Sequence, residues 1–353
     1  MSIKSGQAII KACENLGHIV RIFDGFSDSM FKTFPIFRPK LDFVFIALHG
    51  TFGEDGSIQK ILESKNIKYN GSDAKSSEIC FDKIKTTNLC RENKIKTPYP
   101  SFQIIEQLVD SEFTSFINSG FGYPLIVKPS KQGSSVGISI FHKKPEDSYT
   151  RLLKETALGP GKTERDIFQL LGQKDDSIYD AIIRALKCNL TQEKIIEIEE
   201  KNKAPFKDVF GFLPEFSNEV IIERYIHGKE ITASILGDKA LPLIEIKPNS
   251  NVYDYKSKYT KGETQYACPA KLDDSLSQEI QNVALKVHNL LGCKVYSRVD
   301  FRLDNNSNFY LLEINTLPGM TETSLFPMAA KASGLSFEDL IDKIIKLSLE
   351  KWA

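Results

Sequence analysis

The stretch SRVDFRLDNNSNFYLLEINTLPGM, residues 297–320, constrains the fold more than any other part of the chain. Two apolar runs flank DNNSN, and a cluster of Asp, Asn and Ser between strand-length apolar segments reads as a hairpin turn, so the flanking strands are antiparallel. Side chains alternate between the two faces of a strand. Glu313 and Asn315 therefore share one face of the second strand and Leu312 and Ile314 the other, Arg298 and Asp300 share a face of the first, and Asp300 lies opposite Leu312 or Glu313. Three oxygen ligands at one end of a hairpin, with an arginine beside them, suit a hard cation such as Mg2+ shared with phosphate oxygens. A solvated Arg/Asp/Glu network is the competing reading. FYLLEI argues against it, because a carboxylate in an apolar strand needs a partner to be buried. The turn NTLPG that follows can aim amide N–H groups at an oxyanion.

Lys128 ends the apolar run PLIVK and precedes Pro129, a poor place for a solvated lysine and a good one for a lysine that reaches a phosphate. Five residues on, GSSVG (133–137) offers small residues and free amides that can close over phosphates, although such a loop also serves as a plain flexible turn. His49 ends DFVFIALHG, at the carboxyl end of a strand, where open α/β sheets bind ligands. Capping the strand is an equal alternative for it. Glu223 and Glu230 flank the turn HGK and read equally as a site or a solvated strand face, and Lys258 with Tyr259 reads by default as surface.

Along the chain, Ile3, Ile10, Cys13 and Leu16 fall at helical spacing with Gly17 placed to stop the helix, and IVRIF (19–23) reads as a short strand. DFVFIALHG (42–50) reads as a second strand covered on both faces, as parallel strands are. Helices follow at 56–67 and 85–95, and TPYP marks a boundary near residue 98. PLIVKPS and GSSVGISIF form an antiparallel pair, 147–217 is a polar helical insertion, and strands resume at 219–226 and 230–237. A polar loop (252–267), a helix (276–291), the hairpin and a last helix (336–350) complete the chain. The division is thus 1–98, an N-terminal α/β substrate part, 99–229, a central part carrying the insertion, and 230–353, a C-terminal part with metal and catalytic residues. Lys+Arg and Asp+Glu both number 46, so net charge points to neither nucleic acid nor an anionic membrane. No run approaches the roughly 20 apolar residues that span a bilayer, no secretory signal is visible, and the default location is cytoplasmic. The six cysteines show no CxxC pair and read as reduced, mostly buried thiols.

Taken together, HGTFGEDGSIQKILE, NGSDAKSSEICFDK, YPLIVKPSKQGSSVGIS, VIIERYIHGKEIT, YDYKSKYTKGETQYACPA and RVDFRLDNNSNFYLLEINTLPGMTETSLFP resemble, in order and over nearly the whole chain, the D-alanine–D-alanine ligases of the ATP-grasp superfamily. The resemblance implies a mixed α/β and α+β ATP-grasp fold. It implies that Lys83 and Lys128 bind ATP phosphates under Ser134 and Ser135, that Glu223, Arg224 and Ile226 line the adenine pocket, and that Glu230 holds the ribose. Asp300, Glu313 and Asn315 would bind two Mg2+ (or Mn2+) ions. His49 would contact the first D-alanine, Lys258 and Ser324 the carboxylate of the second, and Arg298 with the Gly319 amide the oxyanion. Ser134 and Tyr259 would join a hydrogen-bonded group at the first substrate, and Lys258-Tyr259 favours D-alanine as the second. The partners implied are ATP and D-alanine, without nucleic acid or membrane, and a homodimer stays open.

Three departures stand out. Gln132 replaces a residue that is usually acidic, the 147–217 insertion is longer than the family's connection, and MSIKSG aligns with the run that opens the family's first helix. The family's preceding strand and Gly-rich loop, which carries a glutamate aimed toward the partners of Tyr259 and Ser134, have no counterpart. The expectation is an N-terminal parallel sheet lacking its first strand, through a start placed about twenty residues downstream. The alternative function is then a nucleotide-binding homologue with impaired ligation, or a related ligase with another acceptor.

Overall fold

The computed structural model describes residues 2–23, 41–99, 101–103, 122–133, 137–141, 220–248, 264–321 and 323–352. The expected insertion at 147–217, the loop residues 252–263, Cys188, Ser134, Ser135, Lys258 and Tyr259 lie outside them. The chain packs as two compact units, one of residues 1–97, 228–251 and 260–353, the other of residues 98–227 and 252–259.

In the first unit, helix α1 (Ser2–Asn15) presents Ser5, Ile9, Ala12 and Cys13 inward, and Gly17 with φ +85 ends its last turn. The strand expected at 19–23 does not form: these residues belong to no strand ladder among the described residues, and Ile19 and Ile22 are 96% and 69% exposed. An apolar run becomes a strand only through a ladder. The segment 42–50 is extended but makes a single parallel bridge, Val44 to Tyr69, and of its residues only Ile46 is buried, so the expected cover on both faces is corrected too. Its backbone is held instead by Asn70, whose Oδ1 accepts from Ile46 N at 2.5 Å while its Nδ2 lies 2.6 Å from the buried Tyr296 hydroxyl. Helices α2 (Ser57–Ser64), α3 (Ala74–Phe81) and α4 (Lys83–Glu92) follow. Helix α3 was not expected from the sequence; Asp73 caps it through Ser76 N, and Asp82 caps α4 through Ile84 and Lys85 N. Helix α4 thus starts two residues before the expected position, which places Lys83 in its first turn.

The second unit holds a four-stranded antiparallel sheet of β1 (Ser101–Gln103), β2 (Leu125–Pro129), β3 (Ser139–Phe141) and β4 (Val220–Arg224), in the order β1-β4-β2-β3. The antiparallel pairing of β2 with β3 agrees with the sequence reading.

The first unit's main sheet takes β5 (Lys229–Leu236), β6 (Lys239–Ala240), β7 (Ile244–Pro248), β8 (Thr264–Ala267), β9 (Tyr296–Leu303) and β10 (Phe309–Asn315), in the order β10-β9-β5-β7-β8 with β6 beside β5. Strand β8 occupies the end of the expected polar loop, a correction that follows from its pairing with β7. Gly228 opens β5 with φ +138, and a Cβ there would come within 1.9 Å of Leu303 O, so only glycine fits this turn. One face of the sheet packs on helix α5 (Asp274–Leu290): Ile231, Ala233, Ile235, Val299, Phe301, Leu311 and Ile314 join Ile280, Ala284 and Val287 in one core. Helix α6 (Leu325–Ala332), also unexpected, and α7 (Phe337–Lys351), started by a Ser336/Asp339 capping box, close the chain. Among the described residues no helix is long and apolar enough to cross a membrane, and Cys13, Cys80, Cys90, Cys268 and Cys293 are free thiols.

Candidate functional site

Cross-strand register builds the site in the first unit. Ser234, Arg298 and Asn315 stand in one row across β5, β9 and β10, and Thr232, Asp300 and Glu313 in the next. The hairpin's ambiguity resolves in favour of Glu313 opposite Asp300, because Leu312 is the extra residue of a β-bulge between Leu311 and Glu313. The bulge has a consequence for the faces. Leu311 and Ile314 both point into the core although they are three apart, which regular alternation forbids, and Glu313 and Asn315 are thereby turned to the opposite face. An apolar strand can then carry two ligand-type side chains without burying them in the hydrocarbon core.

Asp300 is the centre of a dense set of donors. Arg298 binds it through both edges, Nε to Oδ1 at 2.9 Å and Nη2 to Oδ2 at 2.7 Å, the fork geometry that suits a carboxylate. Thr232 donates its hydroxyl to Oδ1 at 2.6 Å, and Asn315 Nδ2 reaches Oδ2 at 3.2 Å. Glu313 pairs with Lys83 Nζ at 3.1 Å. The partner that an apolar strand demanded for its carboxylate is thus a lysine from the first turn of α4. Asp300, Glu313 and Asn315 offer two carboxylates and an amide oxygen, a hard-oxygen set that fits a divalent cation of the Mg2+ class. No group of three His, Cys, Asp or Glu side chains among the described residues gathers as a metal site, so the amide is needed to complete the set.

The HGTFGEDG turn packs beside this face. Gly53 and Gly56 are sterically required there, since a Cβ at Gly56 would meet Ala74 O at 2.4 Å. Glu54 folds back to accept from Gly50 N, and burial pushes its carboxyl up to about 7, with Arg298 and Lys83 opposing and Glu313 adding to the rise. His49 is fixed by Ser2, whose Oγ accepts from His49 N at 3.1 Å and lies 3.4 Å from Nδ1. Burial, helped by the charge of Arg298, lowers its pKa to about 4, so the ring is neutral at pH 7. Its Nε2 is buried with no hydrogen-bond partner among the described residues. Glu230 faces Arg302 across the sheet at 3.4 Å. Gly319 lies on the turn after β10, where the amide of the next residue, Met320, is taken by Ser5 Oγ. Ser324 precedes α6 and contacts Thr321 Oγ1 at 2.7 Å.

In the second unit Lys128 and Glu223 are diagonal neighbours on one face of the β2–β4 pair, because Lys128 stands opposite Ile221 and Glu223 opposite Ile126. They form a short ion pair with side chains only 7% and 4% exposed, which decides against a solvated strand face. Arg224 is exposed at the strand end, and Ile226 continues beyond it after Tyr225 N bonds Pro124 O. Sequence reasoning missed Thr232 and Glu54. The signal for Glu54 was an acid set between two glycines of a tight turn; Thr232 offered none, since its role depends on register with a strand 68 residues away.

The family model described as "D-ala D-ala ligase C-terminus" matches residues 95–157 and 196–346, and "D-ala D-ala ligase N-terminus" matches 26–72. The chain is 36% identical over 352 residues to the D-alanine–D-alanine ligase of Methylacidiphilum infernorum, covering 100% of this chain and 92% of that protein. Among solved structures it is similar to the Bacillus anthracis D-alanine–D-alanine ligase complexed with ATP (TM-score 0.67, 30% identity, 99% of this chain and 92% of that one). It is also similar to the VanG D-Ala:D-Ser ligase of Enterococcus faecalis (TM-score 0.62, 29% identity, 89% and 75%).

Proposed function

The chain belongs to the D-alanine–D-alanine ligase family and has its ATP-grasp fold, and from that premise we propose that it joins two D-alanine molecules with ATP, through an acyl phosphate, to supply a peptidoglycan precursor. The observation that carries the reading is the register of β5, β9 and β10, which sets Asp300 opposite Glu313 with Arg298 clasping Asp300.

In this proposal Asp300, Glu313 and Asn315 hold divalent metal, two Mg2+ or Mn2+ ions per site, which when bound neutralises charge on the phosphates. Lys83 and Lys128, with Ser134 and Ser135, bind the ATP phosphates; Glu223, Arg224 and Ile226 line the adenine pocket, and Glu230 holds the ribose. Lys128 is buried and held by Glu223, so its ammonium is fixed in place for an incoming phosphate. His49, neutral and with a free Nε2, meets a polar group of the first D-alanine, while Lys258 and Ser324 take the carboxylate of the second. ATP phosphorylates the first carboxylate, the second amine attacks the acyl phosphate, and the guanidinium of Arg298 with the Gly319 amide steadies the tetrahedral oxyanion before phosphate leaves. Ser134 and Tyr259 support the first substrate, and Lys258-Tyr259 favours D-alanine as the acceptor. The three-part division at 98 and 229, a cytoplasmic location and a homodimer complete the proposal.

The test is phosphate release by the full chain with D-alanine, D-serine and D-lactate offered as acceptors. Release that requires D-alanine and a divalent cation, with the dipeptide as product, is expected. Turnover only with D-serine or D-lactate would overturn the acceptor assignment.

A further inference from the structure

Thr232 is buried without exposure at the middle of β5 and stands directly opposite Asp300 on β9. Its hydroxyl has two acceptors in reach, Asp300 Oδ1 at 2.6 Å and Val299 O at 3.4 Å, and the distances assign the hydrogen bond to the carboxylate. The next residue on the same face, Ser234, is equally buried and its Oγ has no partner among the described residues. A hydroxyl on this face is therefore not paired merely by being there; Thr232 is paired because register sets it against Asp300.

The other donors to Asp300 differ in kind. Arg298 and Asn315 stand in the neighbouring row of the same face, and Arg298, 16% exposed, carries a long side chain that can swing away from Asp300. Thr232 is short, β-branched and stiff about χ1, and it sits on a central strand paired on both sides, so its hydroxyl cannot follow substrate. We propose that Thr232 is a positioning residue for the metal, fixing the Asp300 carboxylate from the adjacent strand so that its orientation survives when Arg298 turns toward the reacting centre. The proposal rests on the reading of Asp300 as a metal ligand. Hydrogen bonds behind a ligand fix its orientation, and their loss typically weakens metal affinity by about 10-fold to 100-fold.

The experiment titrates Mn2+ into the full chain in the presence of ADP and follows free Mn2+ by electron paramagnetic resonance, with circular dichroism to verify folding. Thr232→Val keeps shape and strand preference but removes the donor, and it is expected to weaken Mn2+ binding about 10-fold or more. Thr232→Ser keeps the hydroxyl and is expected to bind within a small factor of the parent. Thr232→Val binding Mn2+ like the parent, while Asp300→Ala loses it, overturns the role of Thr232 alone. Equal losses in Thr232→Ser and Thr232→Val also overturn it, since the hydroxyl would then be irrelevant. Undiminished Mn2+ binding by Asp300→Ala overturns the metal reading and this proposal with it. Should Thr232→Val fail to fold, Thr232→Ala is read against the same outcomes.

Discussion

Two sets of ion pairs in the first unit have comparable lengths, all between 2.7 and 3.1 Å, and opposite settings. On the surface, Glu78 bridges Lys60 at 3.1 Å and Lys85 at 3.0 Å with side chains 44% to 62% exposed. On the sheet face, Arg298 meets Asp300 at 2.7 Å with side chains 16% and 7% exposed. Distance does not separate them; water does. An exposed pair gains little because solvent already stabilises each charge. A buried one has lost that hydration and is kept by hydrogen bonds that fix where each oxygen points. The face built by β5, β9 and β10 is therefore a positioned set of charges, and the surface pairs on α2, α3 and α4 are solvated decoration.

The sharpest way to break this contrast is Asp300→Ala. With Asp300 in its proposed metal-holding role, its loss removes several kcal/mol of transition-state stabilisation, so turnover is expected to fall on the order of 10^3-fold or more while far-ultraviolet circular dichroism stays that of the folded chain. A variant that retains most of its phosphate release would place Asp300 with the surface pairs.

Lys128 tests the second unit in the same terms. Lys128→Met leaves Glu223 buried without its partner and is expected to cost about 3–5 kcal/mol in urea unfolding of that unit. Replacing both, as Lys128→Met with Glu223→Leu, removes the uncompensated charge, and most of the stability is expected to return. Turnover is expected to stay low in the double variant if the lysine binds phosphate as proposed. Recovery of both quantities together would mean that the pair serves only the fold.

Much of this was legible in the sequence where chemistry changes from residue to residue. Arg298, Asp300, Glu313 and Asn315 stand out from an apolar background, and the period of two put them on shared faces. The bulge was not legible, because Leu311 and Leu312 are alike and nothing local says which is the extra one. Thr232 was hidden for a related reason: its partner is set by the pairing of β5 with β9, a long-range fact that no window on the sequence contains. IVRIF misled in the other direction, since local composition announces a strand while the ladder that would make it one has to come from elsewhere in the chain. Helix α3 is hidden in the sequence because its polar stretch AKSSE lacks an apolar period, and only the Asp73 cap declares it.

His288 carries the comparison from ion pairs to single buried groups. It is 2% exposed, bonded to Ser297 Oγ at 2.7 Å, and burial, with the nearby Lys294 charge, lowers its pKa from 6.5 to about 4. Between those values the unfolded chain holds a proton that the folded one does not, so stability falls as pH drops through that window. Urea midpoints measured from about pH 7 to pH 4 are expected to decline less steeply in His288→Gln than in the parent. Identical slopes would show that the ring is solvated in the folded state.

The smallest effect is expected on the surface. Lys85 and then Lys60 hold the Glu78 carboxyl below its usual range, yet the side chain is nearly half exposed, so most of that attraction is screened. Glu78→Gln is expected to change unfolding free energy by no more than about 0.5 kcal/mol, and the difference should shrink as salt is added. A loss as large as that from Lys128→Met, persisting in high salt, would mean that burial is not what separates the two classes of pair. The ordering from Asp300 to Glu78 would then have to be sought in the packing of α2 against α3 rather than in the hydration of the charges.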